Sequence, residues 1–144
     1  PYLPPQPLTP GDERTWAMLS HLSVLLNLVT GFGGPLAALI IFLVYKDRSR
    51  YVAYHALQAC IFQLIWWCGG GVLLGLLWGL VGILSAILVG LILIPVACMI
   101  TPLAALMPLV SLVYGILGAV QTNQGQDFKY WLVGDWVRGI LTGV

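Results

Sequence analysis

From Trp16 onward the chain is a series of long apolar runs cut by short polar or glycine-rich punctuation at Gly31 to Gly34, Lys46 to Arg50 and Thr122 to Gln126. A first helix is predicted from near Asp12 or Thr15. Asp12 and Glu13 suit the positive end of a helix dipole, and the apolar run begins at Trp16. This helix should end before Gly31. Ser20, Ser23, Asn27 and Thr30 recur at helical spacing along one narrow polar stripe, which is expected to face protein and not lipid. Gly31, Gly33 and Gly34 permit a break, and Pro35 fits the first turn of a second helix running to Tyr45. Both segments are short against the roughly 20 residues that a hydrocarbon layer of about 30 Å requires. They form either a shallow helical hairpin or one long helix broken at the glycines. The hairpin is preferred, because it returns Arg14 to the side of the basic loop at Lys46 to Arg50.

A third helix is expected from Tyr51 to about Trp78. The following stretch, Gly82 to Val120, is interrupted by Pro95, Pro102 and Pro108 and must be kinked or broken, crossing once or twice. Gly71, Gly75 and Gly79 lie four apart, and the spacing recurs in Gly82, Ala86 and Gly90 and in Ser111, Gly115 and Ala119. Such rows let helix backbones approach closely in lipid, so Gly71, Gly75, Gly79, Gly82, Gly90 and Gly115 are candidate packing sites. Beyond Gln126, aromatic and aliphatic residues alternate with charges. This suits a short amphipathic helix in the headgroup region. At the other end, five prolines in Pro1 to Pro10 favour an extended tether. Opening without methionine, the tether is expected to continue a longer tail or to follow processing. The expected fold is an all-α, polytopic membrane bundle of about four segments, the first two a short hairpin, plus the C-terminal interfacial helix. Its parts are a disordered tail at 1–12, a transmembrane domain at 13–126 and an interfacial segment at 127–144.

Composition turns this pattern into a class. Of 144 residues 60% are hydrophobic and only 8% charged, against about 25% charged in soluble domains. No formal charge occurs from Tyr51 through Gln126. A nucleic-acid partner, a secreted disulfide scaffold and a soluble enzyme are thereby excluded. The net charge is only +1, so position matters more than sum. Lys46, Arg48 and Arg50 mark a cytoplasmic loop by the positive-inside rule. With a hairpin before it and an even number of crossings after it, every charge falls on the cytoplasmic side. Both termini are then cytoplasmic in a multi-pass protein of the cell inner membrane. Cys60, Cys68 and Cys98 lie in apolar runs without C-x-x-C spacing and read as small buried hydrophobes.

Inside the apolar segments only His21 and His55 carry reactive or ligand character, and in the hairpin arrangement they share one depth. They could hydrogen-bond polar neighbours such as Ser20, Gln58, Gln63 and Asn27, ligate a haem iron or chlorophyll magnesium, or shuttle a proton. The structural role is favoured, with no cofactor and no metal site expected. The absence of an intramembrane carboxylate argues against a proton-coupled carrier. No G-x-S-x-G, H-E-x-x-H or P-loop is present, and Ser85 and Ser111 read as packing residues, so no enzymatic activity is expected.

The run from Glu13 to Ser23, E-R-T-W-A-M-L-S-H-L-S, is followed by Gly34-Pro35-Leu36 and Lys46-Asp47-Arg48-Ser49. Then come Val52-x-x-His55-Ala56-x-Gln58-Ala59-x-x-Phe62-Gln63, and Asn123-x-Gly125 with Tyr130. Together these resemble a bacterial membrane-protein family of unknown function, itself similar to the twenty-kilodalton subunit of the chloroplast inner-envelope import translocon. The resemblance implies four membrane helices with cytoplasmic ends. Leu57 and Ile61 stand where many members carry lysine and asparagine, which favours packing over an aqueous path. The function expected is a non-enzymatic accessory subunit that associates with itself or with other membrane-protein subunits. The alternatives are a translocation or channel component, and a tetrapyrrole-binding subunit using His21 and His55.

Overall fold

A computed structural model describes residues 4–143, and these are all-helical, without strands. Helix α1 (Pro10–Leu22) begins earlier than the acidic pair suggests. Thr9 is its N-cap, accepting from the Asp12 amide, and Pro10 occupies the first turn, where its missing N–H is not needed. The proline-rich segment is tied down just before that, since the Gln6 carbonyl accepts from Arg48 Nε at 2.9 Å; residues 1–3 of the expected tail lie outside the described residues. Through a tight turn at Ser23–Leu25 the chain enters α2 (Leu26–Thr30), which Gly31 ends at φ 87°. Helix α3 (Gly33–Tyr45) then returns, bringing Tyr45 against Trp16 with ring centroids 4.7 Å apart. The first two segments therefore form the hairpin.

Helix α4 (Arg50–Gln63), a π-helical turn at Leu64–Cys68 and α5 (Gly69–Ser85) make one continuous 36-residue helix, extending past the expected end at Trp78. The chain reverses at Leu88, at φ 67°, and returns through α6 (Val89–Ala105) and α7 (Met107–Asn123), which are parted at Leu106. Pro95 and Pro102 remain within α6, and Pro108 lies in the first turn of α7. Residues 82–120 thus comprise the end of α5, the reversal and one return pass.

Arg50–Ser85 and Val89–Asn123 are the two helices long and apolar enough to cross a membrane. At about 1.5 Å per residue, 36 residues reach about 54 Å, well beyond a hydrocarbon layer of about 30 Å. The two halves of this long hairpin have different neighbours. α4 and α7 pack with α1 and α3 into a bundle, whereas α5 and α6 pack chiefly on each other and project beyond it. Trp67 Nε1 donates to the Gly31 carbonyl where the short hairpin ends, and Trp78 Nε1 donates to Thr101 Oγ1 at 2.9 Å within the projection.

All four charge clusters gather at the other end. Ser49 Oγ donates to Glu13 Oε1, Tyr51 donates to the Gln126 carbonyl, and the Arg14 side chain lies against Gly125. The C-terminal segment is amphipathic but not wholly interfacial. Its extended entry drives Phe128 and Tyr130 into the bundle core, where Phe62 stacks on Tyr130 at 4.2 Å. α8 (Val133–Thr142) then buries Val133 and Val137 and exposes Trp136 and Ile140.

Candidate functional site

Two polar clusters lie in the bundle interior. In the first, helical spacing sets His55 and Gln58 three apart on the buried face of α4, and α1 presents His21 opposite. Gln58 Nε2 donates to the Phe128 carbonyl at 2.9 Å and to His55 Nδ1 at 3.0 Å, while Gln58 Oε1 accepts from the Tyr130 amide at 3.2 Å. An amide nitrogen only donates, so His55 Nδ1 is the acceptor and its proton rests on Nε2. His21 Nε2 donates to the same Nδ1 at 3.1 Å, which leaves His21 Nδ1 to accept from the Tyr130 hydroxyl at 2.9 Å. Burial pushes the Tyr130 phenol above its ordinary pKa and keeps it a donor. One tautomer of each ring thus fits the network, with the single lone pair of His55 Nδ1 shared between two donors. His55 Nε2 remains without a hydrogen-bond partner, beside a Tyr51 ring 4.4 Å away in edge contact.

The second cluster joins the polar stripe of the first hairpin to α4. Gln63 Nε2 donates to Ser23 Oγ at 3.0 Å, Asn27 Nδ2 donates to Gln63 Oε1 at 3.2 Å, and the Gly34 amide donates to Asn27 Oδ1 at 2.8 Å. A Cβ on Gly34 would collide with Gln63 Oε1, the Ser23 carbonyl and Asn27 Oδ1, so the helix turn can close here only with glycine. Ser20, Ser23 and Asn27 face protein as the stripe requires, whereas Thr30 is exposed and accepts from the Gly33 amide instead.

All five candidate polar residues, His21, His55, Gln58, Gln63 and Asn27, therefore meet in the interior, divided between two clusters. Both His21 nitrogens are engaged, and both imidazoles are completely buried, with no open face towards a macrocycle. Among the described residues no group of three or more His, Cys, Asp or Glu is placed to hold a metal ion. Chemically, the arrangement cross-links α1, α4 and the chain entering α8 in a low-dielectric interior, where hydrogen bonds are strong and unpaired groups costly.

The glycine candidates divide. Gly90 approaches the backbone of Val81 and Ser85, and Gly115 approaches Val24 and the His21 carbonyl, as packing sites should. Gly71, Gly75, Gly79 and Gly82 do not pack within the chain. All four are exposed on α5, and a Cβ at any of them would meet nothing within 4 Å. Spacing alone places small residues on one face and leaves open whether anything covers that face. Tight contacts occur instead at Gly34, Gly70 and Gly118, where a Cβ would lie 2.8 Å from His21 Nδ1 and 2.9 Å from the Phe128 ring. Gly118 could have been found from its place beside Gly115 and Thr122 on the polar face of α7. Tyr130 and the Phe128 carbonyl carry no such signal, because they belong to an extended segment without period.

At the basic loop, Arg48 is held by Gln6, while Lys46 and Arg50 are exposed and form no ion pair among the described residues. A protein-family profile matches residues 12–137, taking in every residue of both polar clusters. No curated protein and no solved structure matches the chain.

Proposed function

The chain belongs to the magnetosome magnetite crystal formation protein family, a family of magnetosome membrane proteins, and from this membership we propose that it is a non-enzymatic structural subunit of the magnetosome membrane. It supports crystal formation by associating with further copies of itself or with other membrane-protein subunits. The observation that carries this reading is the projecting α5–α6 hairpin. Gly71, Gly75, Gly79 and Gly82 lie open on it, on a helix whose neighbouring Val72, Leu76 and Ile83 are also exposed. In lipid, a glycine face gains close van der Waals contact when a second helix covers it.

No match links the chain to the chloroplast import translocon, and the translocation reading therefore loses its sequence basis. The interior polar side chains bond one another across helices, which favours packing over conduction, and the enclosed imidazoles favour hydrogen bonding over a tetrapyrrole. The magnetosome membrane replaces the cell inner membrane as the proposed site of action, with the charged end cytoplasmic.

The test uses the variant Gly75→Leu/Gly79→Leu in a magnetosome-forming host lacking the native gene. The variant protein should reach the magnetosome membrane and keep its helix content. It should fail to restore crystal size and shape, and it should sediment as a smaller assembly than the wild type. Full restoration with an unchanged assembly would show that the glycine face is not used.

A further inference from the structure

We propose that the charged end of the protein holds an acidic phospholipid, bound in a cleft between the basic loop, α4 and α8. The cleft has a volume of about 310 Å³ and is lined by Lys46, Arg50 and Arg138, by the Tyr54 ring, and by apolar Ala53 and Leu141. Three cations converge on it, and they are unequally compensated. Arg138 Nη2 pairs with Asp127 Oδ2 at 2.8 Å, and this carboxylate holds the guanidinium above its ordinary pKa. Lys46 and Arg50 have no carboxylate partner among the described residues. The cleft therefore carries an excess of about two positive charges.

Tyr54 forms one wall of the cleft. It is 7% exposed, and its buried hydroxyl, beside Arg138, meets no hydrogen-bond partner of good geometry. The guanidinium carbon of Arg138 sits 4.7 Å from the centre of its ring.

The surroundings select a lipid over a free phosphate. α8 turns Arg138 and Leu141 towards the cleft and exposes Trp136 and Ile140 on another face, where an aromatic and an aliphatic side chain suit the bilayer interface and set this end of the protein at headgroup level. Ala53 and Leu141 offer an apolar wall for the glycerol and the first methylenes of an acyl chain. The uncompensated charge selects an acidic headgroup, since a choline ammonium would bring a further cation to a site that already holds three.

The experiment uses the full chain, delipidated in a neutral detergent and followed by native mass spectrometry and thermal unfolding. Dioleoylphosphatidylglycerol should persist as a one-to-one adduct and raise the melting temperature, while dioleoylphosphatidylcholine and inorganic phosphate should do neither. Lys46→Gln/Arg50→Gln, both on exposed residues, should weaken phosphatidylglycerol binding by about thirtyfold, from about 1 kcal/mol for each of the two cations. Lys129→Gln, which removes an exposed cation outside the cleft, should leave it unchanged. Equal retention of phosphatidylcholine, an undiminished adduct in the double variant, or an equal loss in Lys129→Gln overturns the proposal. The same stabilisation by inorganic phosphate alone overturns the lipid assignment.

Discussion

Tyr130 shows how much one side chain outside the predicted helices contributes. Its hydroxyl donates to His21 Nδ1, its amide holds Gln58, and its ring stacks on Phe62. Tyr130→Phe removes only the hydroxyl and leaves the buried His21 Nδ1 without a donor, so a loss of about 1–3 kcal/mol is expected. Gln58→Leu should destabilise more, because it abandons the Phe128 carbonyl and the Tyr130 amide together and removes one of the two donors to His55 Nδ1. Gly118→Ala should also destabilise, by about 1–3 kcal/mol, since the new methyl must displace His21 or the Phe128 ring. Denaturant titration of the protein in detergent micelles, read by tryptophan fluorescence, measures all three. If Gln58→Leu unfolds at the wild-type midpoint, the network is not what secures the bundle.

Among the elements, the α5–α6 hairpin differs most from its surroundings. Its glycine row makes a sharp contrast with Gly118, because a methyl at Gly75 meets open space. Gly75→Ala is therefore expected to leave the folded monomer intact and even to strengthen α5, alanine being favoured over glycine by about 1 kcal/mol in a helix interior. The joints of the two long helices coincide. A Cβ on Gly70, just past the π-helical turn, would meet the Ala104 carbonyl and Met107, on either side of the break at Leu106. A helix pair longer than the hydrocarbon layer has to tilt or bend, and paired irregularities at one level are where bending is least costly. The exposed thiol of Cys98 on α6 tests where this hairpin resides. In sealed vesicles Cys98, which cannot form a thiolate in hydrocarbon, should resist a charged impermeant maleimide and react with it only after the protein is unfolded in denaturant. Rapid labelling by the charged reagent would place α6 in water.

Taken whole, the molecule is polar at one end and apolar elsewhere. Lys129 with Asp135 and Arg138 with Asp127 are neutralised in exposed ion pairs, worth little individually. This leaves the loop at Lys46 to Arg50 as the main positive feature of that end and the element that sets orientation. In a cysteine-free background, Asp47→Cys and Asp135→Cys should be labelled from the same side of a vesicle. Ala86→Cys, at the reversal between α5 and α6, should be shielded from reagent on that side. Labelling of Asp47→Cys and Asp135→Cys from opposite sides would break the arrangement in which all charges share one face.

The sequence by itself determined the membrane class, the all-helical architecture, the first hairpin and the common end for the charges. Those follow from local quantities: the period of apolar residues, glycine and proline at turns, and the high cost of a charge in lipid. It also identified the residues of the polar interior, since a histidine or glutamine on a lipid-facing helix must turn inward. Only the tertiary structure decided which of them meet. His21 and Tyr130 are 109 positions apart, and no periodicity connects an α1 imidazole with an extended segment beyond α7. The glycine rows divide for the same reason: identical spacing gives close packing at Gly90 and Gly115 but an uncovered face at Gly71 to Gly82, because the difference lies in the neighbour and not in the row.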